Sequence, residues 1–281
     1  GGDRAPADLQ GPGDDGRPDG ATGAEAAVGS FANAYADFSP STSSFWQESL
    51  ADDGRQKWYT KAQAYWEDTG KCPATVDGVL GGYQNLDDVD VKESSEFLVK
   101  LRVSCAKAGR PTGRARALDG GAGIGRVTKH LLSRFFDRVD LVEGNRRMLD
   151  AVPDFLGPKA EKLGELYCST LQDFKPDVGR YDCIWVQWVI IYLTDVDFVA
   201  FLARCAQGLA PGGFIVIKEN VLDDGEGDFI EDKEDASLTR STAYMEHIFR
   251  HAQLEVILRQ RQVDFPANMY PVMMYALRAQ Q

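Results

Sequence analysis

The sequence predicts an α/β protein: a Rossmann-like, seven-stranded, mostly parallel sheet with an antiparallel C-terminal edge hairpin, preceded by a helical extension. Three observations predict it. From Arg116 onward, short apolar runs alternate with amphipathic helical stretches, the pattern of a parallel sheet covered by helices. The first apolar run ends in Asp119 and passes into a glycine-rich turn, Gly120-Gly121-Ala122-Gly123-Ile124-Gly125, before a helix. The second apolar run ends in Glu143, an acid where doubly wound domains hold a ribose.

The elements follow in order. Residues 1–42 form an acidic tail rich in Gly, Ala, Asp and Pro, with too few large apolar side chains to offset the entropy of ordering; it is expected to be disordered. Residues 43–110 form a helical lid and loop segment. Within it, 45–66 reads as two helical pieces broken near Asp53-Gly54. Trp58, Tyr59, Ala62, Tyr65 and Trp66 make an aromatic stripe at helical spacing. Such a stripe packs into a core or lies as a lid over a pocket. A turn-rich loop over 73–83 and a helix over 92–106 complete the segment. Residues 111–281 form the sheet domain. Strands are predicted over 116–119, 139–142, 166–169, 182–187 and 214–218, with helices over 127–136, 146–155 and 196–209 between them. A helix over 237–251 then precedes two strands, 255–262 and 272–278, joined only by a turn-rich segment. That connection implies an antiparallel pair at the sheet edge.

Composition narrows the function. The chain has 281 residues and a formal net charge of -12, which disfavours nucleic acid, since phosphate binding needs clustered Lys and Arg. It suits a cationic partner such as a basic peptide. No apolar run is long enough to span a membrane and none resembles a signal peptide, so a soluble, intracellular protein is expected. The five cysteines form no C-x-x-C pair. Cys168 and Cys183 fall in predicted strands, where a free thiol acts as a small hydrophobe. No metal site is expected.

Ligands of open α/β sheets bind beyond the carboxyl ends of the strands. That rule selects Asp119 to Arg126, Glu143, the Leu171-Gln172-Asp173 turn, Gln187-Trp188 and Glu219-Asn220. The glycine spacing is G-x-G-x-G, and Arg126 stands where a dinucleotide fingerprint has its third glycine. A cation there suits a carboxylate better than a pyrophosphate. S-adenosylmethionine carries a carboxylate and no phosphate, so it is the favoured ligand; a dinucleotide site or an empty turn are the alternatives. Glu143 is placed to accept the ribose hydroxyls, and Leu171 and Gln172 to bracket an adenine. The acceptor would meet the methyl group near 185–195. The Asp/Asn-Pro-Pro-aromatic motif of amino-purine methylation and the Pro-Cys nucleophile of cytosine C5 methylation are absent there, so a nucleobase acceptor is disfavoured.

Residues 58–278 resemble the eukaryotic protein N-terminal methyltransferases, which modify the free α-amino group of Xaa-Pro-Lys/Arg termini. The resemblance rests on KAQAYWEDTGKCPATVDGVLGGY, ALDGGAGIGRVTKHLL, STLQDFKP, YDCIWVQWVIIYLTD, GGFIVIKEN, KEDASLTRS and MYALR. It implies that Gly121, Gly123, Arg126, Glu143, Leu171, Gln172 and Gln187 hold S-adenosylmethionine. It further implies that Trp66, Leu80, Trp188, Asp232, Ser237 and Tyr270, with Asn220 and Asp235, form a peptide channel. It also implies a cytoplasmic and nuclear location. Two positions depart from the family: Glu143 stands for an Asp, and Tyr192 for a His to which animal members assign part of the base role.

The chemistry asks little of a base. An α-amino group titrates near 8, so freeing its lone pair at pH 7 costs about 1.4 kcal/mol, against roughly 4–5 for a lysine side chain. Asp235 is the expected base, with Asn220 and Tyr192 orienting the amine. Proline at the second substrate position has no N–H to strand, so an aromatic slot at Trp188 suits it. The acidic run 226–235, Asp232 included, suits a basic third residue. A small-molecule or carboxyl methyltransferase, or a non-catalytic binder of basic N-termini, are the competing readings.

Overall fold

The computed structural model describes residues 38–223 and 225–280. Most of the acidic tail, residues 1–37, lies outside them. Helix α1 (Pro40–Ser49) starts where Ser39 caps the Thr42 amide and Pro40 sets the first turn. Helix α2 (Gly54–Glu67) follows the predicted break, and the short α3 (Val76–Val79) is capped by Thr75. Helix α4 (Asp87–Lys107) begins five residues earlier than expected. Asp87, Asp88 and Asp90 in its first turn and Lys107 in its last complement the helix dipole.

Strands β1 (Arg116–Gly120), β2 (Arg138–Glu143), β3 (Leu163–Cys168), β4 (Tyr181–Gln187) and β5 (Leu209–Leu222) run parallel. Their crossovers are a π-helical stretch (Thr128–Leu132) continued by α5 (Ser133–Phe135), then α6 (Arg146–Asp150) with α7 (Val152–Leu156), and α8 (Asp195–Gly208). After helix α9 (Thr242–His251) come β8 (Leu254–Arg261) and β9 (Val272–Ala279), antiparallel to each other. β9 also pairs antiparallel with β5. The main sheet therefore reads β3-β2-β1-β4-β5-β9-β8, seven strands with the C-terminal pair at one edge, as the sequence predicts.

One hairpin was not predicted. β6 (Phe229–Asp232) and β7 (Ser237–Ser241) pair antiparallel, and β7 docks in parallel on Val221 and Leu222 at the far end of β5. Residues 237–241, expected to open a helix, are strand instead, because β5 extends beyond its other partners and offers them an edge.

Every residue of β4 is buried, which requires cover on both faces. Cys183 and Trp185 face a layer with Phe97 and Leu101 of α4, while Ile184 and Val186 face Phe198 and Phe201 of α8. A separate cluster, Trp46, Trp58, Ala62, Ala236 and Leu238, pins α1 and α2 to the β6–β7 hairpin. The helical extension is thereby folded onto the carboxyl ends of the strands. Cys183 is buried as expected, whereas Cys168, the last residue of the edge strand β3, is exposed.

Candidate active site

The carboxyl ends of β1, β2 and β4 surround a cavity that the α2 residues Tyr59, Ala62, Gln63 and Trp66 roof over. The aromatic stripe does both of its jobs: Trp58 and Ala62 are buried in the hairpin cluster, and Trp66 faces the cavity. The Trp58 indole also donates to the Tyr192 carbonyl at 2.8 Å, tying the roof to the loop after β4.

The glycine turn forms the floor. Gly121 has φ +70, and a Cβ there would lie 2.7 Å from the Val189 side chain. Only glycine satisfies both constraints. Glu143 fastens the turn: Oε2 accepts from the Gly123 amide at 2.8 Å and Oε1 from the Asn145 amide at 2.7 Å. Burial raises its pKa, and those backbone donors oppose the rise. Asp119 accepts from the amide and hydroxyl of Thr128; burial lifts its pKa to about 6. Leu171 and Gln172 line the opposite wall. The Arg204 guanidinium holds that turn through the carbonyls of Leu171 and Gln172, both at 2.9 Å.

Arg126 is more engaged than the sequence suggested. Its Nη1 donates to Asp87 at 2.6 Å and to Asp90 at 2.8 Å. Those two bonds use a single nitrogen; among the described residues none is made by Nε or Nη2. Gln187 is held at both ends: Oε1 accepts from the Trp185 indole at 3.0 Å, and Nε2 donates to Asp90 at 2.9 Å. Both Arg126 and Gln187 line the cavity. Trp188, one residue beyond β4, has φ 53. A non-glycine residue in that region costs on the order of 1–3 kcal/mol, a strain that gathers at functional sites. Its ring stands 5.5 Å from the Arg126 guanidinium, and its buried indole N–H has no partner.

The acceptor side opens at Tyr192. Its hydroxyl donates to Asp235 Oδ2 at 3.1 Å, and its ring meets Trp66 edge-on at 6.0 Å. Burial and the neighbouring Asp235 carboxylate push the phenol pKa well above its ordinary value, so Tyr192 stays protonated. Asp235 follows β6 in the hairpin turn. Burial raises its pKa, with Ser237 and Tyr192 pulling it back, and its Oδ1 is buried without a partner. Ser237 and Asp232 are register partners at the ends of β7 and β6.

All seven residues expected at the cofactor line one cavity, and Trp66, Trp188 and Tyr192 line it with them. Asp235 joins through the bond it accepts from Tyr192, and Ser237 acts on Asp235. Leu80, Asn220, Asp232 and Tyr270 are not part of that lining; Leu80 is buried behind α3, and Tyr270 is exposed near the carboxyl end of β5. Sequence reasoning missed Asp87, Asp90 and Arg204. The Asp-x-x-Asp spacing at a helix start puts the first two on one face, but nothing local names Arg126 as their partner.

A glycine turn below, an acid at the ribose position and a roofed cavity beyond the strand ends are the means by which Rossmann-like methyltransferases hold S-adenosylmethionine. The residues present fit that molecule: Glu143 presents two acceptor oxygens for a diol, Arg126 keeps an unused guanidinium edge for a carboxylate, and Leu171 offers an apolar face to a base.

The comparisons agree with this class. Residues 54–278 match the AdoMet-dependent proline di-methyltransferase family. The chain is 45% identical over 237 residues to alpha N-terminal protein methyltransferase 1 of Oryza sativa subsp. indica, covering 82% of this chain and 75% of that one. It is 42% identical over 229 residues to N-terminal Xaa-Pro-Lys N-methyltransferase 1-B of Xenopus laevis, covering 82% and 98%. A SAM-dependent methyltransferase structure from Leishmania major superposes with TM-score 0.74 at 38% identity, over 83% of this chain and 89% of that one. The protein is thus a SAM-dependent methyltransferase, and it belongs to the AdoMet-dependent proline di-methyltransferase family.

Proposed function

We propose that this enzyme methylates the free α-amino group of proteins beginning Xaa-Pro-Lys or Xaa-Pro-Arg, in one to three rounds, with Asp235 as the proton acceptor. The observation that carries the reading is the unpartnered Asp235 Oδ1, buried beside Tyr192 at the acceptor end of the donor cavity. A buried carboxylate oxygen with no donor lacks roughly 1–3 kcal/mol of hydrogen bonding, and a substrate ammonium supplies it.

The donor supplies an electrophilic methyl group. Trp66 and Trp188 exclude water and flank the incoming chain, and Trp188 offers a flat surface to a proline ring. Tyr192 spends its hydrogen on Asp235 Oδ2, which leaves Oδ1 to take the amine proton. The raised pKa of Asp235 makes it a better base than an ordinary aspartate, and an amine titrating near 8 needs no stronger one. Tyr192 cannot share that role, because its phenol stays protonated; Asp235 acts alone. Asp232 and the other acids of the hairpin give a basic third residue its counter-charge.

The test is single-turnover methylation of a Ser-Pro-Lys-initiated peptide by wild type and Asp235→Asn. The variant should lose turnover while binding the donor normally. Full turnover in the variant would remove Asp235 from the base role.

A further inference from the structure

We propose that Asp90 is a positioning residue for donor binding: from outside the sheet it sets the orientation of the two side chains, Arg126 and Gln187, that face the donor's amino-acid end. The inference rests on the reading that those two side chains meet that end, and the experiment below separates the two.

Asp90 belongs to α4, in the extension rather than the sheet domain. It is 1% exposed. Its carboxylate accepts from Arg126 Nη1 and Gln187 Nε2 and pairs with Lys218 of β5. The Lys218 ammonium is itself fully held, by the Ser94 hydroxyl at 2.8 Å and Gln262 Oε1 at 2.7 Å. One carboxylate thus joins the helix after the glycine turn, the end of β4, and β5. Each partner is fixed from behind, and Arg126 keeps donors that no described residue takes. A guanidinium is a planar fork. Pinning one nitrogen by Asp87 and Asp90 leaves the Nε–Nη2 edge for a carboxylate. Trp188 lies over the same guanidinium.

Charge and position predict opposite signs. Removing a carboxylate near an incoming carboxylate strengthens binding if only Coulomb repulsion matters. It weakens binding if Asp90 acts by orienting Arg126 and Gln187. Burial of an ion cluster does not by itself indicate function, so a matched control is needed. Asp140 supplies it: a fully buried carboxylate paired with Arg116, Arg180 and Tyr181, none of them in the cavity lining.

The experiment is calorimetric titration of S-adenosylmethionine and S-adenosylhomocysteine into wild type, Asp90→Asn, Asp90→Asn/Lys218→Met, Asp140→Asn and Arg126→Lys, with peptide KM measured alongside. The double variant removes the buried charge pair together and covers the case in which Asp90→Asn alone fails to fold. Expected are a donor Kd raised about tenfold in both Asp90 variants, the loss of roughly one oriented charged hydrogen bond, a peptide KM within about twofold, and a wild-type donor Kd in Asp140→Asn. Unchanged or tighter donor binding in the Asp90 variants would overturn the proposal. So would an equal loss in Asp140→Asn, which would reduce the effect to general loosening. Wild-type affinity in Arg126→Lys would instead overturn the underlying assignment of the amino-acid end.

Discussion

Two buried aspartates hold opposite ends of one sheet. At the amino ends of the strands, Asp140 accepts from Arg116, Arg180, the Tyr181 hydroxyl and the Glu165 amide. Its donors come from β1, β3 and the start of β4, and the two arginines lead out toward solvent. At the carboxyl ends, Asp90 accepts from Arg126, Gln187 and Lys218, and its partners lead into a cavity. Both are dense ionic hubs, so density does not mark the site. What differs is where the partners lead and which carboxylate oxygens remain unused. Asp140 has both oxygens engaged. At the other end, Glu219 Oε2 and Asp235 Oδ1 are the only buried carboxylate oxygens without partners among the described residues, and the Trp188 indole N–H is likewise alone. Unpaired polar groups in a packed interior are costly; Trp188 lines the cavity and Asp235 is bonded to its lining residue Tyr192, where a ligand completes them, whereas Glu219 lies outside that lining.

Substitutions sharpen the comparison. Asp235→Asn, at the working end, should lower kcat about 100-fold, the lower range for loss of a positioned base, with donor Kd unchanged. Asp140→Asn, at the scaffolding end, should do the reverse. Its melting temperature should fall by about 10 °C, as expected when a buried ion pair is broken in a chain of this size, while donor Kd and the remaining activity at low temperature stay near wild type. An activity loss in Asp140→Asn exceeding its loss of folded protein would break the distinction between the two ends.

Tyr192→Phe should cost about fivefold in kcat, near the worth of one hydrogen bond. It should move the acid limb of the kcat/KM profile slightly toward higher pH, because the lost hydroxyl no longer holds the Asp235 pKa down, while the phenol itself does not titrate in that range. A limb that moves with Tyr192→Phe by more than its Asp235 contact explains would return a base role to the hydroxyl.

Glu219 gives a smaller effect with a defined sign. Burial lifts its pKa from 4.5 to about 8, against backbone donors from Asn220, Ile190 and Val189. A folded-state value above the unfolded one means that the folded protein holds the proton more tightly. The stability this contributes is complete below about 4.5 and is lost as pH rises through about 8. Glu219→Gln cannot lose that proton. Its melting temperature should match wild type near pH 5 and exceed it by a few degrees at pH 9; parallel curves would contradict the assignment.

The working end was largely legible in the sequence. The glycine turn, Glu143, Leu171-Gln172 and Gln187 follow from one strand–turn–helix pattern and the rule that ligands bind at strand ends. Two parts escaped. The β6–β7 hairpin reads as an acidic loop and a helix start, because its strand identity comes from the free edge of β5, a non-local partner. Asp87 and Asp90 read as ordinary first-turn acids of a helix; that they reach across to Arg126 depends on how α4 packs on the sheet, which spacing within the helix does not encode.

The central claim is tested most directly by mass spectrometry of a Ser-Pro-Lys-initiated peptide and its N-acetylated twin after incubation with enzyme and S-adenosylmethionine. Methyl-sized mass gains on the free peptide alone are the predicted result, and their number gives the endpoint. Gains on both peptides would place the acceptor on the lysine side chain and contradict the assignment of Asp235 to an α-amine.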